Sequence, residues 1–123
     1  MNLLGIDFED WYHPELIQKH LTTKNNEPKV VNGIDKILDL LRKYNTHATF
    51  FVVGELIEKK PELIDKILDN EHEIAFHTMY HNRLDSMSNK QQFSEELKKF
   101  NELTSKKSKG FRAPSFSLNH STS

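Results

Sequence analysis

The chain has 123 residues, with 17 Lys and Arg against 18 Asp and Glu, seven His and no Cys. This composition is typical of one soluble globular unit, and a net charge of −1 offers no basic surface for nucleic acid or an anionic membrane. Without cysteine, disulfides, thiolate metal sites and a cysteine nucleophile are excluded, so any metal must be held by His and carboxylate side chains. No apolar run approaches the roughly 20 residues that span a bilayer, and the N-terminus lacks the features of a secretion signal, so we expect a cytoplasmic protein.

The first half of the chain predicts a strand, a helix and a second strand. Residues 2–8 predict a short buried strand that ends in carboxylates. Apolar residues then recur at three- and four-residue steps over 34–44, which predicts an amphipathic helix beginning at Asn32 or Gly33. Residues 46–53 are rich in β-branched and aromatic side chains and predict a second strand.

The second half continues the alternation. A short helix over 55–60 is followed by a helix that starts at Pro61, and residues 73–76 predict a third strand. Ser88 and Gln91 form a capping box before a further helix, and residues 110–112 predict a fourth strand. Strands and helices that alternate in this way predict an α/β fold with a parallel sheet or barrel.

Several apolar side chains are expected in the core. Phe50 and Phe51 lie in the middle of the second predicted strand. The helix after the capping box has an apolar face, and we expect its charged side to be solvated surface. That apolar face consists of Phe93, Leu97, Phe100 and Leu103.

Titratable and hydrogen-bonding groups gather where predicted strands end. In parallel α/β folds the functional site lies at the carboxyl ends of the strands, so these side chains are candidates for a catalytic site. They are Asp7, Glu9, Asp10, Trp11, Tyr12 and His13 after the first strand, residues 77–81 after the third, and residues 112–115 after the fourth.

His77 and His81 are the strongest metal-binding candidates. A spacing of four lets two imidazoles meet on one side of a helical turn, and a carboxylate would complete a three-ligand site. The pair alone is a weak signal, because seven His in 123 residues produce this spacing by chance. No Glu follows His77, so the pair is not a zincin helix. The alternative for the pair is a solvated or hydrogen-bonded loop, and the alternative for the whole set of Asp7, Asp10, His77, His81 and Arg112 is an ion-pair network that stabilises the ends of loops.

Four motifs together resemble one family. Their order and approximate spacing are those of the polysaccharide deacetylases, with the NodB-homology domain of carbohydrate esterase family 4. The first motif is similar to the branch that reads Asp-x-Glu-Asp-Trp/Tyr. The motifs are Asp7-Phe8-Glu9-Asp10-Trp11, Thr49-Phe50-Phe51, His77-Thr78-Met79-Tyr80-His81 and Phe111-Arg112-Ala113-Pro114-Ser115.

The resemblance implies a distorted (β/α) barrel, a divalent metal on an Asp-His-His triad, and hydrolysis of an N-acetyl group from an amino sugar. Zn²⁺ is the first expectation for the metal, although Co, Ni, Fe and Mn suit the same ligands. The fold of this family needs more strands than the sequence predicts. We therefore expect residues 1–123 to be the N-terminal portion of a single deacetylase-like domain.

Matched position by position, the resemblance also implies roles for individual residues. Asp7 is the general base, and Arg112 pairs with it. The metal ligands are His77, His81 and Asp10, with Glu9 as the alternative carboxylate. Ser115 stands where the family often has Tyr, and its backbone N–H is expected in the oxyanion site. Trp11, Tyr12 and Pro114 are expected to contact substrate, although the two aromatic rings fit a packing role equally well.

The expected substrate is an N-acetylated glycan, or its precursor, in bacterial surface-polysaccharide biosynthesis. Two alternatives stay open: a hydrolase of another C–N bond, such as a ring amide or imide, and a non-catalytic glycan-binding or truncated relative. The general acid of the family is a His from a later motif. We therefore expect this chain by itself to bind metal weakly and to deacetylate poorly.

Overall fold

The computed structural model describes residues 3–9, 33–81, 90–105 and 108–114. Within these residues, strands and helices alternate much as the apolar pattern predicts. The elements are β1 (Gly5–Phe8), α1 (Ile34–Lys43), β2 (Thr49–Val52), α2 (Gly54–Lys59), α3 (Glu62–Asp69), β3 (Glu73–Phe76), α4 (Lys90–Leu103) and β4 (Ser108–Phe111). Ser88, the first residue of the predicted capping box, lies outside the described residues.

The four strands form one parallel sheet in the order β1-β2-β3-β4. The predicted parallel α/β fold is therefore confirmed. The register places Phe8, Val52, Phe76 and Phe111 in one row across the sheet. Because all four strands run the same way, the residues that follow this row meet at one carboxyl edge.

The core lies between one face of the sheet and the helices. Phe8 packs edge-on against Phe50 with ring centroids 5.8 Å apart, and Phe76 packs against Phe100 at 5.0 Å. The helices contribute fully buried aliphatic side chains to the same cluster, among them Ile34, Leu56, Leu63 and Ile67. This layer fixes the sheet against the helices and so holds the carboxyl edge in place.

Phe51 is not part of this core. Successive side chains of a strand point to opposite faces of the sheet. Phe50 is fully buried against the helices, whereas Phe51 is only half-buried and lies under the guanidinium of Arg112. The prediction that both phenylalanines are core residues is wrong for Phe51.

The first strand is also shorter and less buried than predicted. It begins at Gly5, and the Leu3 side chain that precedes it is 89% exposed. Leu4, the residue just before the strand, has an exposed side chain as well. Its carbonyl nevertheless accepts a hydrogen bond from the Thr49 N–H of β2 at 3.0 Å. The cause is position, because β1 is an edge strand of the described sheet and has a paired neighbour on one side only.

Two helix predictions need smaller corrections. Pro61 precedes α3 as its N-cap rather than being its first residue. On α4, Phe100 is fully buried, but Leu103 lies at the end of the helix and is exposed. None of the described helices combines the length and the apolar character that a bilayer crossing requires.

Candidate metal centre

The sheet register brings the predicted site residues to one edge. Each of three site residues is the next residue along the chain after a member of the row described above. Glu9 follows Phe8, His77 follows Phe76, and Arg112 follows Phe111. The ladder of backbone hydrogen bonds continues one step beyond that row: the His77 N–H donates to the Val52 carbonyl at 3.1 Å, and the Arg112 N–H donates to the Phe76 carbonyl at 2.9 Å. The backbone under the site is therefore held by the sheet itself.

Glu9, His77 and His81 converge. Each offers a ligand atom, and these atoms lie within 4.8 Å of one another. The two imidazole rings meet edge-on with centroids 5.0 Å apart, and His81 Nε2 lies 2.5 Å from Glu9 Oε2. His77 and His81 are 2% and 7% exposed. The structure thus brings together both predicted histidines and the alternative carboxylate, whereas Asp10 lies outside the described residues.

A backbone carbonyl fixes the orientation of His77. Its Nδ1 atom lies 2.7 Å from the Arg112 carbonyl oxygen. A carbonyl only accepts, so Nδ1 carries the proton and the lone pair of the neutral ring is on Nε2. The pKa of His77 is lowered from its ordinary value, chiefly by burial and also by His81, while the Arg112 carbonyl, Asp7 and Glu9 partly oppose this. The ring is therefore neutral at pH 7, the form that binds a metal.

The donor set fits a divalent cation. Nδ1 of His81 and Oγ1 of Thr78 are buried without a hydrogen-bond partner among the described residues. The short contact between His81 Nε2 and Glu9 Oε2 also lacks hydrogen-bond geometry. Two imidazoles and one carboxylate are the ligand types of three-ligand zinc sites that keep a coordination position open. The arrangement is what is expected when these groups point at a shared ion rather than at one another.

The segment from His77 to His81 is not the helical turn that the spacing suggested. Thr78 and His81 both have φ near 61°, in the left-handed region that non-glycine residues seldom adopt. Helix α2 secures the segment: the Gly54 N–H donates to the Thr78 carbonyl at 2.9 Å and the Glu55 N–H donates to the Met79 carbonyl at 2.7 Å. Sequence reasoning missed this support, because the apolar pattern of a helix does not show which loop its first N–H groups will contact.

Asp7 and Arg112 form the predicted pair beside this centre. Arg112 Nη1 lies 2.6 Å from Asp7 Oδ1, and the guanidinium carbon lies 4.0 Å from the centre of the Phe51 ring. Gly5 leaves the space that the guanidinium fills, since a β-carbon at this position would collide with Arg112. Arg112 is thus positioned by Phe51 and Gly5. The sequence did not indicate this role for either residue.

The remaining predicted contacts are mostly untested. Pro114 is buried two residues after Arg112. A concave region of 450 Å³ is lined in part by Gly5, Phe51 and Arg112, and it extends to His47 and Glu71 near the amino ends of the strands. Trp11, Tyr12 and Ser115 lie outside the described residues.

Fold and site together define a parallel α/β domain with a His-His-carboxylate centre at the carboxyl edge of its sheet. Residues 13–123 match the family model described as polysaccharide deacetylase. The chain therefore belongs to the polysaccharide deacetylase family.

Individual relatives agree with this assignment. A peptidoglycan-N-acetylglucosamine deacetylase of Bacillus cereus is 37% identical over 86 residues, which are 68% of this chain and 40% of that protein. Two solved structures share the fold. One is a family 4 acetyl xylan esterase from Clostridium thermocellum in complex with cobalt, with a TM-score of 0.71 and 22% identity over 98% of this chain and 51% of that chain. The other is a CE4 family pseudoenzyme from Bacillus anthracis, with a TM-score of 0.69 and 20% identity over 98% of this chain and 37% of that chain. The chain thus spans about two fifths to one half of these relatives.

Proposed function

We propose that this protein is part of a metal-dependent hydrolase that removes N-acetyl groups from an amino sugar in a polysaccharide or its precursor. The observation that carries the proposal is the convergence of Glu9, His77 and His81 beside the Asp7–Arg112 pair. The fold alone does not decide activity, because an esterase and a pseudoenzyme both have it. The side chains at the carboxyl edge therefore carry the argument.

Glu9, His77 and His81 are the proposed ligands, and the neutral Nε2 of His77 supplies one lone pair. A divalent cation held by these residues would supply Lewis-acid chemistry, polarising an amide carbonyl and making a water molecule easier to deprotonate. Zn²⁺ is the proposed metal, and the same donor set accepts Co, Ni, Fe or Mn. Glu9 is preferred to Asp10 because it contacts His81.

Asp7 is the proposed general base. Arg112 binds its Oδ1 atom, which leaves Oδ2 to receive a proton from the attacking water. The Arg112 carbonyl in turn accepts from His77. One residue therefore orients both the base, through its side chain, and a metal ligand, through its backbone. Ser115, Trp11 and Tyr12 keep their proposed roles in the oxyanion site and the sugar contact.

The test compares the wild type with His77→Ala and His81→Ala, using His47→Ala as the control because His47 is exposed and lies at the opposite end of β2. We expect each site variant to bind Zn²⁺ about two orders of magnitude more weakly or worse, since the loss of a supporting residue alone costs about 10- to 100-fold. Metal content is measured on the purified chain. Acetate release from N-acetylglucosamine oligosaccharides is measured on a version extended past Ser123, and it should depend on the same two histidines. Metal retention in either variant would reject the proposed site.

A further inference from the structure

The turn between the two proposed histidine ligands depends on groups from outside it. Thr78 and His81 both have left-handed backbone conformations, which a free chain seldom adopts. Two carbonyl groups of the turn are held by N–H groups of α2. A third support comes from a different helix.

That support is Glu96 on α4. Its Oε1 atom accepts a hydrogen bond from the Met79 N–H at 2.9 Å, and its Oε2 lies 3.5 Å from Gln92 Nε2. Met79 is the central residue of the turn, two positions from each histidine, and its side chain is fully buried. A hydrogen bond to an ionised acceptor is stronger than one between neutral groups. The charged face of α4, which the sequence suggested was solvated surface, therefore contributes one carboxylate to the turn.

We propose that Glu96 is a positioning residue for the metal centre. It accepts the hydrogen bond of the Met79 N–H and so fixes the backbone that carries the His77 and His81 side chains. When the acceptor is lost, the partly enclosed Met79 N–H has no protein partner in the described structure, and the turn is free to leave its left-handed conformation. The two imidazoles then no longer face Glu9 together. This inference rests on the proposed metal site.

Four variants test it. Glu96→Met removes the acceptor at similar side-chain length, Glu96→Asp keeps the charge but shortens the reach, and Glu96→Gln keeps an oxygen at the same distance. Glu95→Met is the matched control, because Glu95 is exposed on the same helix and bonds only Gln91 among the described residues. Zn²⁺ affinity is measured by calorimetry on the whole chain, and the melting temperature is measured on the metal-free protein.

We expect Glu96→Met and Glu96→Asp to bind Zn²⁺ about tenfold more weakly or worse than the wild type. Glu96→Gln should remain within about threefold, because it restores the acceptor. A purely structural role would lower the melting temperature of the Glu96 variants and leave the Zn²⁺ affinity unchanged.

Several results would overturn the inference. Equal Zn²⁺ affinity in Glu96→Met and Glu95→Met is one, and a Glu96→Gln protein as weak as Glu96→Met is another. If Glu96→Met does not fold, equal Zn²⁺ affinity in Glu96→Asp and Glu96→Gln would overturn the inference instead. A wild type that binds no Zn²⁺ would overturn the proposed function and this inference with it, whereas a binding wild type with unaffected variants would overturn this inference alone.

Discussion

His77 and His72 are both buried, but their rings make different hydrogen bonds. The Nδ1 atom of His77 donates to a carbonyl and leaves Nε2 for a ligand, whereas the Nδ1 atom of His72 accepts from the Ala48 N–H at 3.1 Å. His72 is 5% exposed and packs against the Phe50 ring at 5.4 Å. It lies at the opposite end of the sheet, next to a cavity of 210 Å³. We assign His72 a structural role.

The burial of His72 predicts a pH-dependent stability. Burial lowers the pKa of His72 from 6.5; nearby His47 lowers it further and Glu71 partly opposes this. As the pH falls below about 6.5, the unfolded chain therefore binds a proton before the folded one does. The stability contributed by neutral His72 is complete above that pH and decreases below it, by at most about 1.4 kcal/mol per pH unit.

The measurement is the free energy of unfolding of metal-free protein between pH 7.5 and 5.5, for the wild type and for His72→Asn. Asn offers an oxygen to the Ala48 N–H but does not titrate. We expect the variant to lose less stability on acidification than the wild type. Because buried His77 contributes with the same sign, some pH dependence should remain in the variant. Identical pH profiles would contradict this account of His72.

For single residues, the sequence predicted which side chains form the site better than it predicted which side chains contact one another. His77, His81, Asp7 and Arg112 all lie where their motifs placed them, and the Asp7–Arg112 contact is present. The resemblance favoured Asp10 over Glu9 as the carboxylate ligand; Asp10 lies outside the described residues, whereas Glu9 lies beside His81. Glu96 was missed because only the folded chain brings it to the Met79 amide.

Among the elements, α2 and the turn that carries both histidines approach each other closely. A β-carbon on Gly54 would collide with the sulfur of Met79 and lie only 3.3 Å from the Met79 α-carbon. The backbone of Gly54 does not have a positive φ, so the reason for glycine here is space. The small residue lets the first N–H groups of α2 reach the carbonyls of Thr78 and Met79.

Gly54→Ala should therefore destabilise the protein. We expect a loss of about 1–3 kcal/mol, because the added methyl group must displace a fully buried side chain or the turn itself. Gly110→Ala is the control, since a β-carbon there meets nothing within 4 Å and glycine has no positive φ there either. Denaturant unfolding of the two variants measures the difference. A Gly54→Ala protein as stable as Gly110→Ala would show that the turn has room to yield.

Helices and strands were predictable where their apolar periodicity was strong. Helix α1 buries Ile34, Leu38 and Leu41 as its spacing predicts, whereas Ile37 and Tyr44 of the same pattern are exposed. Strand β3 has the predicted bounds. The errors fall at ends and on the second face of the sheet, as with Leu3 and Phe51. Burial at the end of an element depends on which other elements pack against it. The apolar pattern of the element itself does not contain that information.

The whole molecule explains why motifs so distant in sequence form one site. Each crossover returns the chain to the same end of the parallel sheet, so residues after β1, β3 and β4 meet at one edge. The resemblance predicted this convergence through its family fold, but composition and spacing alone left the histidine pair ambiguous. The geometry of the edge depends on the row formed by Phe8, Val52, Phe76 and Phe111 and on the buried core that packs against the sheet.

The central claim is that Glu9, His77 and His81 bind one shared cation. The most direct measurement is a crystal structure of the Zn²⁺-loaded protein with anomalous data at the zinc edge. We predict one ion with two imidazole nitrogens and one carboxylate oxygen of Glu9 at about 2.0–2.2 Å. No bound zinc, or zinc bound away from either His77 or His81, would contradict the account.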